Sequence, residues 1–298
     1  RIAAMGELVI VCVTAFLAVW GPPNNFDSMT YHLPRIMHWL QNHDVGYYSA
    51  ITHRQLTTPP LGEYLMMFTF GLSGGDYLAN LVQFSAYIVC IVSIGSISWV
   101  LFRDRLATSV SVILAVATPM AIAEATTTQV DLVSAMWVLL GVLAVVGLYR
   151  RTWGIPVAIV SLALASMLAA TTKPTGLVEL LPVYVWLAWI ILKSPATRLG
   201  RRIWTVAYSG MAVALGIVVG LLPQTIRNLD RFGEPFDTET GLTTGRIGWD
   251  IATGNVFRYI INNIGLPDRL NEYITPQITN LSSTLGINWT DPDLSLIH

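Results

Sequence analysis

Long apolar segments recur along the chain and are separated by short polar loops. A membrane-spanning helix needs about 20 mainly apolar residues, because the hydrocarbon core of a bilayer is roughly 30 Å thick. Segments of this kind lie at Leu8–Trp20, Tyr77–Phe102, Leu106–Ala123, Asp131–Tyr149, Ile155–Ala170, Gly176–Leu192 and Ile203–Leu222. They predict an all-α polytopic membrane protein with about seven transmembrane helices, since a helix satisfies its own backbone polar groups in lipid.

The stretch that follows the first predicted span, residues 24–48, is amphipathic. Its apolar positions share one helical face and are Met29, Leu33, Ile36, Met37 and Leu40. Its polar positions share another face and are Tyr31, Arg35, His38 and Asn42. Such spacing is typical of a helix that lies at the membrane surface. Pro34 predicts that the regular helix begins near Leu33 or kinks there.

A second apolar segment, Leu61–Leu72, follows Pro59 and Pro60 in the same loop. It is too short to span a bilayer, and proline favours the first turn of a helix. We therefore predict a second interfacial or re-entrant helix here, within a long first loop that covers residues 21–76.

The orientation of the chain is predicted from lysine and arginine in the short loops. One set of loops is basic and holds Arg103, Arg105, Arg150, Arg151, Lys193, Arg198, Arg201 and Arg202. The opposite short loops hold Glu124, Asp131 and Lys173. Because positive residues are retained on the cytoplasmic side, we expect a plasma-membrane protein with a cytoplasmic amino end. The first loop, residues 124–131, residues 171–175 and everything after Pro223 are then outside.

Composition supports the membrane assignment and limits the functions. Charged residues make up 12% of the chain, against about 25% in a typical soluble domain. The net charge of −1 gives no basis for a nucleic-acid partner. Cys12 and Cys90 both lie in apolar runs and are expected to be buried, reduced thiols. Residues 1–236 are predicted to form the membrane domain and 237–298 an outer soluble segment, in a chain that we expect to be part of a longer protein.

Polar residues that are suited to catalysis or binding lie at the predicted outer ends of the spans, and the span centres are apolar. A transporter is expected to carry some charged groups at mid-span, since such groups mark substrate and ion pathways. The pattern therefore favours chemistry at the outer interface over conduction through the bilayer.

Short motifs on this predicted outer face give the chain a resemblance to a known group. The motifs are Asp27 in NNFDSMTYH, Pro59-Pro60-Leu61, Asp131 in TTTQVDL, Lys173 to Gly176, Arg227-Asn228, and Gly233 with Pro235. In order and position they resemble family 39-like membrane glycosyltransferases of the GT-C fold. That branch includes protein O-mannosyltransferases, the lipid A aminoarabinose transferase and the RgtA/B/C/D-like domain.

Two departures from that resemblance concern the acidic residues. Several relatives carry two adjacent acidic residues where this chain has Phe26-Asp27-Ser28, and some carry one before Pro-Pro-Leu, where this chain has Thr57-Thr58. A second carboxylate near Asp27 would have to come from Asp44, Glu63 or Glu124.

The resemblance implies transfer of a sugar from a polyprenyl-phosphate donor to a glycan, lipid or protein acceptor. A carboxylate would deprotonate the acceptor hydroxyl, and cations would stabilise the departing lipid phosphate. The candidate catalytic residues are Asp27, Asp131 and Glu63. The candidate substrate-binding residues are Tyr31, His32, Arg35, His53, Arg54, Lys173, Arg227 and Asn228. No cofactor is expected, although a divalent metal stays open.

Structural roles stay open for the same residues. Asp27 and Asp131 are also suited to cap their helices, and Lys173 to extend its amine towards water from a helix end. Arg227 could instead pair with Asp230 or Asp237. The histidines have no metal-ligand spacing and are expected to be surface polar residues. At the level of function, the alternatives are a transporter or flippase of lipid-linked glycans and a non-catalytic scaffold.

Overall fold

The computed structural model describes residues 2–194, 198–235, 253–254, 256 and 268–284. All regular secondary structure in these residues is helical. The helices are α1 (Ile2–Trp20), α2 (Leu33–Asn42), α3 (Arg54–Thr57), α4 (Leu61–Ser73), α5 (Leu81–Phe102), α6 (Arg105–Val116), α7 (Pro119–Glu124), α8 (Asp131–Tyr149), α9 (Ile155–Thr172), α10 (Thr175–Lys193), α11 (Leu199–Phe232) and α12 (Asp268–Thr284). The chain divides into two compact units, Arg1–Phe236 and Asp237–His298.

Several helices are long and apolar enough to cross a membrane. They are Asp76–Phe102, which includes α5, and the helices α8, α9, α10 and α11, with mean hydropathies of 1.8 to 2.3. The apolar helices Met5–Trp20 and α6 are shorter. The prediction of an integral, all-helical membrane protein is thus confirmed, and the number of seven spans stays a prediction.

The third predicted span, Leu106–Ala123, is interrupted. Helix α6 ends at Val116, and α7 begins at Pro119. Thr118 between them is extended, with φ −66° and ψ 111°. Proline lacks a backbone N–H and disfavours the helical conformation in the residue before it. The prediction of one continuous helix is wrong for this reason.

Helix α11 is longer than predicted. It continues through Pro223 to Phe232, where the prediction ended it at Leu222. It stops at Gly233, whose φ of +73° is readily adopted by glycine. Ten further residues of helix, six of them polar, therefore extend beyond the apolar segment.

The core of the helical bundle lies where α8, α9, α10 and α11 meet. Val145, Leu162 and Leu180 are completely buried there. Gly216 lets α11 approach α9 closely, because a Cβ at this position would lie 2.8 Å from the carbonyl oxygen of Ala163. Small residues permit this kind of packing between membrane helices.

Both cysteines are free thiols, as expected, but their burial differs. Cys90 is buried in α5, whereas Cys12 lies on the exposed surface of α1. The expectation that both thiols are buried is therefore wrong for Cys12. Its position within an apolar run did not indicate which side of the helix faces the protein.

Candidate functional site

The first loop and the loop between α7 and α8 meet at one end of the bundle. The Thr128 hydroxyl donates to the Ser28 hydroxyl at 2.5 Å. Asn80 Nδ2, at the start of α5, donates to the carbonyl of Gly21 at 2.9 Å. We call the region formed by residues 21–64, 76–83, 117–133, 171–176 and 223–235 the polar end.

A π-helical turn, Ser28–His32, immediately precedes α2 within the first loop. The N–H of Leu33 binds the carbonyl of Ser28, five residues earlier. Pro34 occupies the first turn of α2, where its missing N–H is tolerated. The regular helix thus begins at Leu33, which was one of the two predicted outcomes.

Asp27 enters this turn in helical conformation, with φ −65° and ψ −42°, and does not cap it. The cap is supplied by Asn25, whose side-chain oxygen accepts a 2.7 Å bond from the N–H of Ser28. The half-buried Asp27 carboxylate instead lies near the Tyr31 side chain and acts on it through its charge. Burial and this negative charge raise the pKa of Tyr31 above its usual value. The capping alternative for Asp27 is therefore wrong.

Two more carboxylates and an amine lie near Asp27. Asp131 does not cap α8 but binds Lys173, with 2.5 Å between Oδ1 and Nζ, and both side chains are about half exposed. The pKa of Glu124 is raised to about 7 by burial and by the charges of Asp131 and Asp27, against the opposing charge of Lys173. The predicted candidates Asp27, Asp131 and Lys173 therefore share one electrostatic environment with Glu124.

Glutamine side chains that the sequence analysis missed donate hydrogen bonds to Glu124. Gln83 is completely buried; its oxygen accepts from the N–H of Val133 at 3.1 Å and its nitrogen donates to Glu124 at 3.5 Å. Gln129 donates to both Glu124 oxygens, at 2.8 and 2.9 Å, when its amide nitrogen faces them. A polar residue inside an apolar span, as at Gln83, was the available signal.

Glu63 lies in a separate, buried network. It is 1% exposed, and its Oε1 lies 3.0 Å from His32 Nδ1 and 3.5 Å from Arg35 Nη1. Burial raises the pKa of Glu63, but the charge of Arg35 and the bond to His32 outweigh it, so the net pKa is below the usual value. The expectation that the histidines are surface residues is wrong for His32, which is 2% exposed.

Arg35 also departs from the amphipathic pattern, because it is 2% exposed although it was placed on the polar face. Its guanidinium donates to the carbonyl and hydroxyl of Thr58, at 2.9 and 3.0 Å, and lies 4.7 Å from the ring centre of Trp39. By contrast, Met29 and Met37 on the apolar face are 57% and 42% exposed. The helix therefore turns Arg35 towards the protein.

Apolar side chains of α2 and of the turn before it form a groove with α4. Its volume is about 690 Å³, and its lining includes Met29, Leu33, Met37, Leu40 and Phe70. Met29 is two residues from Asp27 in the chain. The groove thus begins on the same turn of chain as the candidate carboxylate, although side chains two residues apart leave a helix in different directions.

The polar carboxyl-terminal part of α11, residues 223–232, binds the first loop. Arg227 donates to the carbonyl of Val45 at 2.9 Å and to the Tyr64 hydroxyl at 3.4 Å. Asn228 accepts from the Tyr47 hydroxyl at 2.8 Å and donates to the carbonyl of Thr57 at 3.3 Å. These two candidates hold the loop in place, and their predicted role in substrate binding stays a prediction.

Arg54 and His53 lie at the start of α3. The charge of Arg54 acts on the Tyr31 hydroxyl, and its guanidinium forms no hydrogen bond or ion pair with any residue that the structure describes. The ring of His53 lies 5.3 Å from that of Phe232. Arg54 is thus a candidate cation near Tyr31, available to bind an anionic group.

The polar end combines a half-buried carboxylate with neighbouring cations, and the apolar groove between α2 and α4 adjoins it. Among the described residues, no three histidine, cysteine, aspartate or glutamate side chains come close enough to hold a metal ion. Chemically, this arrangement is able to accept a proton and to bind an anion that carries an apolar chain. No family model, curated protein or solved structure matches this chain.

Proposed function

We propose that this chain is a membrane glycosyltransferase that moves a sugar from a polyprenyl-phosphate donor to an acceptor at the outer membrane surface. The observation that carries the proposal is the environment of the Asp27 carboxylate. Its carboxylate is half buried, is not used as a helix cap, and lies among Tyr31, Glu124 and Arg54 at the polar end. The motifs that resemble GT-C glycosyltransferases of the family 39-like branch support the same function.

In the proposed reaction, Asp27 accepts the proton of an acceptor hydroxyl. The acceptor oxygen forms a bond to the anomeric carbon of the sugar as the bond from that carbon to the phosphate oxygen breaks. The electron pair of the broken bond remains on the lipid phosphate, whose charge Arg54 and Lys173 would stabilise. The groove beside Met29 and Phe70 offers an apolar surface for the lipid chain. The acceptor is a glycan, a lipid or a protein.

We further propose seven spans, with the amino end in the cytoplasm and the polar end outside. Helices α6 and α7 together cover residues 105–124, long enough for about 30 Å at 1.5 Å per residue. The test uses single cysteines in a chain without Cys12 and Cys90. Cysteines at Asn42 and Thr127 should react with an impermeant thiol reagent from outside, and those at Asp104 and Thr152 should not. Labelling of Thr127 from the cytoplasmic side alone would contradict this orientation.

The functional test is Asp27→Asn. An amide keeps the size of the side chain but cannot act as a base, so we expect sugar transfer to fall by roughly 10²–10⁴-fold. Donor binding should persist, because the lost interaction acts in the transition state. The assay is transfer from a polyprenyl-phosphate sugar in reconstituted membranes, with thermal stability measured on the same samples.

Asn25→Ala is the matched structural control for Asp27→Asn. It removes the cap, at a cost of about 1 kcal/mol of stability, and should leave turnover in the folded protein near normal. A stable Asp27→Asn protein with near-normal turnover would contradict the proposal. Movement of the lipid-linked sugar across the membrane without transfer would favour a flippase instead.

A further inference from the structure

A second apolar groove runs between α10 and α11, in the half of the bundle that lies away from the polar end. Its volume is about 250 Å³. Its lining includes Tyr184, Leu187 and Ile191 on α10 and Val206, Gly210 and Ala214 on α11. Both helices are long and apolar enough to cross a membrane. This α10–α11 groove therefore lies where the hydrocarbon layer is expected.

Small residues on α11 make room for the α10–α11 groove. Apart from its own helical turn, a Cβ at Gly210 would meet nothing within 4 Å among the described residues, and Gly210 and Ala214 are both exposed. Further along the helix, a Cβ at Gly220 would lie 3.0 Å from the carbonyl oxygen of Met167 on α9. Helix α11 thus has one small-residue face packed against α9 and a second one that borders the groove.

The polar groups of the groove are paired within the protein. The Tyr184 hydroxyl forms a 2.8 Å bond with the Ser166 hydroxyl, and the Ser209 hydroxyl donates to the carbonyl of Thr205 at 2.7 Å. The groove therefore offers mainly apolar contacts, which suit a hydrocarbon chain. At 1.5 Å per residue, its lining extends about 10 Å along α10 and about 16 Å along α11. This length is comparable with one leaflet of a hydrocarbon core that is about 30 Å thick.

Positive charge lies where the groove reaches the end of α10. The Arg202 guanidinium donates to the carbonyl of Leu192 at 3.0 Å, directly after the last lining residue of α10. The other basic residues of this connection are exposed and are Lys193, Arg198 and Arg201. Residues 180–229 include no aspartate or glutamate. The groove thus ends at a basic segment that carries no acidic residue of its own.

We propose that the α10–α11 groove binds an anionic phospholipid, with an acyl chain between the helices and the phosphate among the basic side chains. Arginine suits a phosphate because its planar guanidinium donates parallel hydrogen bonds. Basic pockets between membrane helices also attract anionic head groups. The site is separate from the polar end and does not depend on the proposed function.

A second copy of the chain is the alternative occupant. A helix with its side chains is about 10–12 Å wide, so a groove of about 250 Å³ admits only side chains of such a helix. Two copies with the same orientation in the membrane would also bring their basic segments together, and like charges repel. The charge at the end of the groove therefore favours the anionic lipid.

The test is native mass spectrometry of the full chain in detergent micelles, titrated with dioleoyl phosphatidylglycerol or dioleoyl phosphatidylcholine. These lipids have the same acyl chains and differ in head-group charge. We expect phosphatidylglycerol to bind at least about tenfold more tightly. Arg198→Gln combined with Arg201→Gln should lower its affinity by roughly 25-fold, about fivefold for each charge. Binding of phosphatidylcholine should change little.

Gly210→Leu tests the site of the acyl chain. The new side chain occupies the groove, so the affinity for phosphatidylglycerol should fall to that for phosphatidylcholine. Gly6→Leu is the matched control, because a Cβ at Gly6 in α1 also has free space. Arg105→Gln combined with Arg150→Gln is the control for charge, since both arginines are exposed in other basic loops. Both controls should bind lipid as the unmodified protein does.

Thermal unfolding is measured for every variant, and Ala214→Leu blocks the same groove if Gly210→Leu is unstable. Equal affinities of the unmodified protein for the two lipids would overturn the proposal. So would unchanged phosphatidylglycerol binding in a folded groove variant, because the basic segment would then attract anionic lipid without the groove. A dimer in the spectra that Gly210→Leu dissociates would assign the groove to a second copy of the chain instead.

Discussion

Replacement of Glu63 by glutamine should strongly destabilise the protein. Glu63 and Arg35 have side chains that are each 2% exposed, and Glu63 Oε1 also binds His32. Glutamine keeps the size of the side chain and removes its charge. The guanidinium of Arg35 would then remain buried without an opposite charge, in a place that water does not reach.

The magnitude follows from this burial. Removal of one partner of a buried ion pair costs about 3–5 kcal/mol. Arg35 would keep its hydrogen bonds to Thr58 and to the carbonyl of Leu56, so we expect the lower end, about 3 kcal/mol. The exposed pair of Asp131 and Lys173 is the matched comparison, because surface pairs contribute about 0–1 kcal/mol. Asp131→Asn should therefore cost much less than Glu63→Gln.

The pH dependence has a definite sign. Because the pKa of Glu63 is below its usual value of 4.5, its ionised form stabilises the folded state above that pH. This contribution is lost as the pH falls through the lowered pKa. Glu63→Gln should remove that part of the acid sensitivity.

The assay is thermal unfolding in detergent micelles, followed by tryptophan fluorescence, for Glu63→Gln, Arg35→Met and the double variant. Because removal of both charges leaves neither one unpaired, the double variant should lose at least about 1 kcal/mol less than the sum of the single losses. If Glu63→Gln is no less stable than Asp131→Asn, or if the single losses are additive, the buried network does not stabilise the fold as argued.

Two further predictions concern the other contacts of the polar end. The pKa of Glu124 in the folded protein is raised to about 7, so the stability of the fold should decrease as the pH rises from about 4.5 to 7, and Glu124→Gln should flatten this dependence. If the unmodified protein and Glu124→Gln have equal melting curves between pH 5 and 8, this prediction is contradicted. A Cβ at Gly62 would collide with Val130 Cγ1, so Gly62→Ala should cost about 1–3 kcal/mol of unfolding free energy. Val130→Ala should reduce that cost in the double variant, and a silent Gly62→Ala would show that α4 does not pack against Val130.

The apolar segments were sufficient to predict the helical membrane protein. In lipid, backbone polar groups are satisfied within each helix, so the length and hydropathy of a segment largely determine its structure. Residues with special backbone preferences were also informative, since Pro34 lies at the start of α2 and Pro60 immediately precedes α4. Pro119 and Pro223 show the limit of this rule. One follows a break between two helices and the other lies inside a helix, so a proline in the sequence does not by itself determine where a helix ends.

The polar contacts were decided by the tertiary structure. Asn25 and Asp27 are both good capping residues. The path of the loop into the π-helical turn makes Asn25 the cap, and the Asp27 side chain forms no capping hydrogen bond. Arg35 belongs to the polar face by spacing, yet it is buried because α4 brings Glu63 to it. A charged side chain enters a protein interior only when a partner of opposite charge and hydrogen-bond acceptors meet it there. Those partners are distant in sequence, so periodicity along one helix does not reveal them.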